Sequence, residues 1–201
     1  YKFLYVSPER LSTDIFRVKM EAMQVCLLVI DESHCISQWG YDFRPPYLKI
    51  AEIRELIGDV PVIALTATAT KSVADDIMSK LDFAEPNLIC SGFARENLAY
   101  VVRNTDDKLG NLLRICRGVP GTGIIYVRER KKCEEIANFL KVQGVDADFY
   151  HAGMSRELRT LKQDNWQSDK LRVIVSTNAF GMGIDKPDVR FVVHYDVPSA
   201  I

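Results

Sequence analysis

Short apolar runs alternate along the chain with longer stretches in which apolar residues recur every three or four positions. A short continuous apolar run predicts a strand buried in a parallel sheet, and the periodic stretches predict helices with one buried face. The predicted strands are residues 3–6, 27–30, 60–65, 87–90, 98–102, 123–127, 147–150, 172–176 and 190–195. The predicted helices are residues 14–23, 47–57, one capped by Thr70, one running from a cap at Asp106 to Arg117, 130–142, and one that opens at Ser155.

This alternation predicts the α/β class, with parallel sheets that carry helices on both faces. A break around residues 92–97 separates two sets of strand–helix units. We therefore expect two domains, residues 1–93 and 94–201. The two halves share an architecture but no repeat at the level of residues.

Composition narrows the classes of protein. Of the 201 residues, 47% are apolar and 26% are charged, as in ordinary soluble globular proteins. The net charge is −1, so any nucleic-acid surface must be a local patch. No apolar stretch is long enough to predict a membrane span, and no signal peptide is evident. Because the chain begins with tyrosine and ends without a stop signal, we expect it to be a piece of a longer protein.

Five cysteines are scattered without a paired spacing, which predicts reduced thiols in a cytosolic protein. Four of them lie in apolar or amphipathic runs and are expected to be small core residues. These four are Cys26, Cys90, Cys116 and Cys133.

Two adjacent carboxylates, Asp31 and Glu32, follow the apolar run 27–30 directly. Ligands of open α/β sheets bind at the carboxyl ends of the strands. Magnesium favours one or two carboxylates together with substrate phosphates, and a second carboxylate can orient or deprotonate an attacking water. The pair therefore indicates the Walker-B arrangement of a nucleotide triphosphatase. The alternative is a cap for the following helix.

The segment after the acidic pair, residues 34–47, is rich in aromatic residues, with Trp39, Phe43 and two tyrosines around Arg44. Aromatic faces beside a guanidinium group are suited to stacking on unpaired bases. The alternative is a hydrophobic loop that folds back on the core.

Two further segments follow predicted strands. Three alternating threonines, Thr66, Thr68 and Thr70, could bridge a nucleotide site to the next domain or simply cap the strand end and the helix. In residues 176–187, Gly181 and Gly183 allow a phosphate or nucleotide to approach the backbone closely.

Other polar residues favour ordinary structural roles. Three histidines, with Asp31 and Asp196, match no short zinc-ligand spacing. We expect His151 to fix the turn after its strand and His194 to end a buried strand. Trp166 is predicted to be a core residue. Arg156 with Arg159, and Arg95 with Asn97, could contact nucleic acid or lie on solvated and linker surfaces.

Taken together, these segments resemble the RecQ family of superfamily-two DNA helicases. The resemblance rests on DESHCISQWGYDFRPPY, ALTATAT, YHAG and STNAFGMGIDKPDVRFVVH, and it covers nearly the whole chain in order. Two positions in the aromatic segment depart from the common pattern, since Tyr41 stands where many members have histidine and Pro46 where many have glutamate. The resemblance implies two RecA-like domains, both truncated.

The resemblance also implies a function. The parent protein would be an ATP-dependent helicase that moves 3′ to 5′ along single-stranded DNA and unwinds duplex DNA. ATP and Mg²⁺ would be its cofactors, and a single-strand-binding protein is a further expected partner. The protein would lie in the cytoplasm on the nucleoid in a bacterium, or in the nucleus in a eukaryote.

Residue roles follow from the same resemblance. Asp31 would hold Mg²⁺, Glu32 would position the attacking water, and His34 with Gln38 would link the nucleotide site to the DNA side. Trp39, Phe43 and Arg44 would sense DNA, and Thr66 and Thr68 would relay between the domains. Four residues would meet the nucleotide or the DNA from the second domain: Thr177, Gly181, Gly183 and Asp185.

The sequence contains no GxxxxGK[ST] phosphate loop, and the family's arginine finger would lie after residue 201. The finger alone typically contributes on the order of 10³-fold or more to the rate. We therefore expect the chain as given to hydrolyse little or no ATP. Two alternatives stay open: a DExH motor that acts on RNA, and a catalytically incomplete nucleic-acid-binding fragment.

Overall fold

The computed structural model describes residues 2–39, 42–85, 87–92, 95–181 and 183–197. The chain divides into two compact units, residues 1–96 and 97–201. The boundary expected between residues 93 and 94 falls outside the described ranges, as do Tyr41 and Met182 of the motifs discussed above.

Unit 1 is built on a parallel pair of strands, β1 (Leu28–Ile30) and β2 (Val62–Ala64), which places the ends of both strands side by side. Its α-helices are α1 (Asp14–Glu21), α2 (Lys49–Ile57) and α3 (Lys71–Lys80). Short 3₁₀ helices span Pro8–Ser12, Ser33–Ile36 and Pro45–Leu48. The core of unit 1 includes Met20, Ile30, Ile36, Ile50, Ile53, Val73, Ile77 and Leu81.

Three strand predictions in this part of the chain are corrected by the structure. Residues 3–6 and 87–90 form no strand, and strand 27–30 is not buried on both faces, since Ile30 is covered while half of Val29 is exposed. An apolar run becomes a strand only where another strand supplies hydrogen bonds. Of these segments, only residues 28–30 pair with another strand in the described part of unit 1.

Unit 2 is a four-stranded parallel sheet in the order β4-β5-β3-β6. Its strands are β3 (Thr122–Tyr126), β4 (Ala147–Tyr150), β5 (Val173–Ser176) and β6 (Val189–His194). Its helices are α4 (Lys108–Gly118), α5 (Arg130–Val142) and α6 (Arg156–Gln167). The α/β class with parallel sheets flanked by helices is therefore confirmed. Strand β5, one of the two central strands, is buried throughout, and all four carboxyl ends meet at one edge of the sheet.

Helix starts follow the capping chemistry, with one correction. The Thr70 and Ser155 hydroxyls accept hydrogen bonds from the backbone N–H groups of Val73 (3.4 Å) and Leu158 (3.3 Å), as predicted. The cap of α4 is Asp107 and not Asp106. A carboxylate at N-cap accepts from the N–H two or three residues on, and Asp107 Oδ1 accepts from Gly110 N at 2.8 Å.

Several side-chain predictions are also tested by burial. Trp166 is 1% exposed and its indole N–H donates to the Gly123 carbonyl, so the core prediction is confirmed. Cys116 and Cys133 are buried as expected, but Cys26 and Cys90 are exposed.

The expected strand 98–102 does not form, and β6 alternates between partly buried and exposed positions instead of being fully buried. Among the described residues, no helix has the length and apolar character needed to cross a membrane.

Candidate nucleotide and nucleic-acid site

The acidic pair occupies a tight turn at the end of β1. The Leu65 N–H donates to the Ile30 carbonyl (2.8 Å) and the Ser33 N–H donates to the Leu65 carbonyl (2.9 Å), so the turn is fixed to the end of β2. Glu32 has φ 49° and ψ 41°, a left-handed conformation that costs a non-glycine residue on the order of 1 kcal/mol or more. Asp31 Oδ1 accepts from the Glu32 N–H at 2.9 Å, which supports this conformation.

His34 connects the acidic pair to the threonine segment. The side chain is buried, and its Nδ1 atom lies 3.0 Å from Thr66 Oγ1 and 3.3 Å from Glu32 Oε2. An ionised carboxylate only accepts hydrogen bonds, so the tautomer assigned here carries its proton on Nδ1. The Thr66 hydroxyl also accepts from the Thr68 N–H at 3.3 Å. The structure thus brings together five of the predicted site residues at the ends of two paired strands: Asp31, Glu32, His34, Thr66 and Thr68.

Within the first half of the aromatic segment, residues 34–37 are buried and the next two residues are exposed. Ser37 is fully buried, and its hydroxyl accepts from the Trp39 N–H at 3.2 Å. Gln38 is exposed, and 79% of Trp39 is exposed. Covering an exposed indole ring with a base removes apolar surface from water, which is favourable, so Trp39 is suited to stack on an unpaired base.

The second half of the segment folds back on the 3₁₀ helix Ser33–Ile36. The Arg44 N–H donates to the Cys35 carbonyl at 2.9 Å, and the Arg44 guanidinium donates twice to Asp42 Oδ2, at 2.7 and 3.0 Å. The hydrogen bonds to Asp42 raise the pKa of Arg44, so the group is positively charged at any relevant pH. Phe43 is half-buried. The positive charge of Arg44 is therefore paired with the carboxylate of Asp42.

Helix α3 holds this segment from the other side. Lys80 Nζ donates to the Ile36 carbonyl (3.3 Å) and to Asp76 Oδ2 (2.9 Å). Burial alone would raise the pKa of Asp76, but hydrogen bonds from Ser37 and Lys80 keep it below its usual value. The backbone between the acidic pair and Trp39 is therefore fixed at two points: the turn after β1 is bonded to Leu65, and the Ile36 carbonyl is bonded to Lys80.

In unit 2, the glycine turn follows β5 at the carboxyl edge of the sheet. Thr177 is buried, and the Ser176 hydroxyl donates to the Tyr150 carbonyl at 3.0 Å, which ties β5 to β4. Gly183 and Asp185 lie on the exposed part of the turn. Thr177 and Asp185 are thus placed at the edge where ligands of α/β sheets bind, and their roles remain predictions.

Gly181 has a structural reason to be glycine. Its φ is 118°, and a Cβ atom there would lie 2.5 Å from the Tyr126 hydroxyl. That hydroxyl donates to the Phe180 carbonyl at 2.9 Å, and burial raises the pKa of Tyr126. At Gly183, by contrast, φ is 70° but the space around a Cβ is open. The turn is therefore shaped by Tyr126, which the sequence patterns did not single out.

The two histidines of unit 2 have local partners within that unit. His151 Nε2 lies 3.2 Å from Glu134 Oε1, and the ring stacks on Phe149 with centroids 5.7 Å apart. The His194 ring stacks on Tyr126 at 5.4 Å. The Met154 N–H donates to the His151 carbonyl at 3.1 Å, so the turn after β4 is closed through the backbone, and the role of the His151 side chain in that turn stays a prediction.

Sequence reasoning missed three residues that shape these sites: Asp42, Tyr126 and Glu134. Asp42 could have been found, because it stands two residues from Arg44 with the opposite charge. Tyr126 and Glu134 are 54 and 17 positions from their partners, and only the folded chain brings them together.

The residues after β1 fit a magnesium nucleotide in the chemistry of their donor set. Asp31 is exposed, and Oδ1 is occupied by the Glu32 N–H, so the second carboxylate oxygen is available to a hard cation. Glu32 is exposed and oriented by His34, as expected of a carboxylate that positions water. Thr66 connects this pair to the end of the next strand.

Two families match the chain. Residues 1–77 match the family described as DEAD/DEAH box helicase, and residues 105–201 match the helicase conserved C-terminal domain. The probable ATP-dependent DNA helicase RecS of Bacillus subtilis is 42% identical over 99% of this chain and 41% of its own length. The ATP-dependent DNA helicase RecQ of Haemophilus influenzae is 42% identical over 100% of this chain and 32% of its own length.

Solved structures share the fold. Mycobacterium smegmatis helicase Lhr, bound to single-stranded DNA and AMP-PNP, has a TM-score of 0.67 at 19% identity, over 93% of this chain and 27% of its own. Saccharomyces cerevisiae Dbp5, bound to RNA and ADP BeF3, has a TM-score of 0.64 at 24% identity, over 92% and 48%. At such identities the likeness shows the RecA-like fold alone.

The chain spans less than half the length of the curated relatives named here, and the match to them runs through both of its units. The segments from which the resemblance was drawn lie within this match, and so do the two helicase domains. The chain belongs to the RecQ family.

Proposed function

We propose that the protein that carries this chain is an ATP-dependent DNA helicase and that unit 1 supplies its hydrolytic carboxylates. The observation that carries the proposal is the contact of buried His34 with both Glu32 and Thr66. A carboxylate held by a buried imidazole has a defined orientation, which general base catalysis requires. Names of the relatives support the substrate class, DNA, and the dependence on ATP.

In this proposal each residue of the acidic turn has one task. Asp31 offers one oxygen to Mg²⁺, which when bound with ATP would neutralise charge developing on the phosphates. Glu32 orients the attacking water and accepts its proton. His34 keeps Glu32 in place and passes any shift of the turn to Thr66, at the end of β2.

The aromatic segment is proposed to receive single-stranded DNA. Trp39 presents an exposed ring for stacking, while Arg44 supplies a positive charge nearby in sequence. Because the Arg44 N–H bonds to the Cys35 carbonyl, a displacement of this segment by DNA acts on the residue next to His34. DNA binding would thereby change the position of His34 and, through it, of Glu32, the carboxylate proposed to position water.

Two finer parts of the proposal extend the same reading. Thr177, Gly181, Gly183 and Asp185 would meet the nucleotide or the DNA from unit 2, and translocation would run 3′ to 5′. Strand displacement on duplexes with a single 3′ or 5′ tail tests the direction, since a 3′-to-5′ motor opens only the 3′-tailed duplex.

The decisive test of the carboxylate assignment is Glu32→Gln in the full-length protein. Removing a positioned general base lowers turnover by about 10²- to 10⁴-fold. ATP binding, measured by equilibrium titration with a fluorescent nucleotide, should change little, because glutamine keeps the size of the side chain. The matched control is Glu55→Gln, an exposed glutamate on α2. Turnover that survives Glu32→Gln would show that another group is the base.

A further inference from the structure

A second cluster of metal-binding groups lies on the far side of His34 from Glu32. Nε2 of His34 is 3.7 Å from Cys35 Sγ, and Cys35 Sγ is 3.9 Å from Asp42 Oδ2. One ligand atom from each of these three residues lies within 4.8 Å of the other two. His34 and Cys35 are buried, and Asp42 is partly buried.

We propose that His34, Cys35 and Asp42 form a binding site for zinc or a similar thiophilic divalent cation. Zinc bond lengths of about 2.0–2.3 Å at a tetrahedral angle place ligand atoms about 3.4–3.6 Å apart. The separations of 3.7 and 3.9 Å from Cys35 Sγ are close to this value. The ligand atoms of His34 and Asp42 lie within 4.8 Å of each other, so a rotation of the Asp42 side chain toward His34 would complete the geometry.

The chemistry of the ligands selects the metal. Thiolate and imidazole favour zinc, copper and cobalt, whereas Mg²⁺ and Ca²⁺ favour oxygen ligands alone. Three protein ligands leave a fourth position for water, as in zinc sites that remain open to solvent. The site therefore favours a different metal from Asp31, whose carboxylate is suited to Mg²⁺.

The surroundings of His34 resemble those of a metal-bound histidine. Such histidines nearly always donate their other ring N–H to a carboxylate or carbonyl, which fixes the tautomer and makes the ligand nitrogen more basic. Here Nδ1 lies 3.3 Å from Glu32 Oε2 and 3.0 Å from Thr66 Oγ1, and Nε2, which lies 3.7 Å from Cys35 Sγ, is the ring atom that would bind the cation.

Asp42 can serve the cation without losing Arg44. The guanidinium donates to one oxygen, Oδ2, and a carboxylate accepts about four hydrogen bonds or ligand contacts in all. The Arg44 N–H bond to the Cys35 carbonyl already holds the two ends of the site together. Binding releases the Cys35 thiol proton to solvent, with no change of oxidation state.

A bound cation would connect the histidine that orients Glu32 to the segment that presents Trp39. In the helicase this would hold the acidic turn and the aromatic segment in one arrangement and slow turnover; that consequence rests on the proposed function. The binding itself does not, so it is tested without any measurement of turnover.

The experiment titrates the 201-residue chain with Co²⁺, a spectroscopic substitute for zinc, and follows the near-ultraviolet thiolate-to-cobalt band. We expect one Co²⁺ per chain, displaced by one equivalent of Zn²⁺. Cys35→Ser should abolish the band, and Cys26→Ser, which changes an exposed cysteine, should keep it.

A second variant decides the matter if Cys35→Ser does not fold. Asp42→Asn alters a partly exposed side chain and should weaken Co²⁺ binding at least about tenfold, since loss of even an outer partner of a metal site costs about 10- to 100-fold. Asp59→Asn, at an exposed aspartate of unit 1, is its control and should bind as the unaltered chain does. No thiolate band, a band lost in Cys26→Ser, or unchanged affinity in Asp42→Asn would overturn the proposal.

Discussion

The hydrogen bond between His34 and Thr66 can be tested in the isolated chain by Thr66→Val. Valine keeps the branched shape but removes the hydroxyl that contacts His34 Nδ1 at 3.0 Å and accepts from the Thr68 N–H at 3.3 Å. His34 keeps Glu32 as a partner, so the imidazole is not left wholly unpaired. One net hydrogen bond contributes about 0.5–1.5 kcal/mol, and the longer, exposed bond to Thr68 adds little. We therefore expect a loss of about 1 kcal/mol in unit 1.

Buried cysteines allow each unit to be followed separately. Cys35 is 1% exposed in unit 1, and Cys133 is 0% exposed in unit 2. Pulsed alkylation in rising urea, read by mass spectrometry, reports the unfolding of each unit. With a urea dependence of about 1–3 kcal/mol per molar, a loss of about 1 kcal/mol lowers the Cys35 midpoint by about 0.3–1 M. The Cys133 midpoint should not move.

Thr13→Val removes an exposed threonine hydroxyl of unit 1 that donates to the Arg10 carbonyl, and it should shift the Cys35 midpoint by less than Thr66→Val does. An unchanged Cys35 midpoint in Thr66→Val, or an equal shift of the Cys133 midpoint, would show that this bond does not stabilise unit 1.

Gly181→Ala should destabilise unit 2 by about 1–3 kcal/mol, because both its positive φ and the nearby Tyr126 hydroxyl oppose a side chain. Gly183→Ala is the control and should destabilise unit 2 by less, since the space around that residue is open. Equal losses of stability in urea unfolding would contradict the steric explanation. Burial raises the pKa of Asp148, but the hydrogen bond from Lys162 and others hold it below its ordinary 3.8; its contribution to unit 2 is therefore present above that value and lost as the pH falls through the lower folded-state pKa. Urea midpoints against pH should show this loss, and Asp148→Asn should flatten it. In the full-length protein, Trp39→Ala should raise the single-stranded DNA concentration for half-maximal ATP turnover by about tenfold or more, since base stacking contributes about 1–3 kcal/mol. Trp39→Phe keeps an aromatic ring and should stay close to the unaltered protein. An unchanged half-maximal concentration in Trp39→Ala would exclude stacking.

Helices were predicted more accurately from the sequence than strands, for a physical reason. The 130–142 helix was predicted with its observed bounds because its apolar spacing and the stop at Gly144 are local signals. The runs 3–6 and 98–102 have equally apolar sequences, yet they lie unpaired, with Tyr5 and Val102 almost wholly exposed. A strand depends on a partner from elsewhere in the chain, which the run itself does not encode.

In the candidate site, too, local features could be predicted from the sequence, whereas contacts between distant residues could not. The acidic pair and the exposed Trp39 could be predicted because residue type and position after a strand carry the signal. The contact of His34 with Thr66 spans 32 positions and arises from the register that pairs Ile30 with Ala64. The exposure of Cys26 and Cys90 was missed because an apolar neighbourhood in sequence does not ensure burial in the fold.

The proposed ATP-driven, DNA-stimulated motor can be tested by the ATP turnover of the full-length protein, with single-stranded DNA and, separately, with single-stranded RNA of the same base sequence. We expect strong stimulation by DNA and little by RNA. Stimulation by RNA, or by neither, would contradict the proposal and would give the aromatic segment another role.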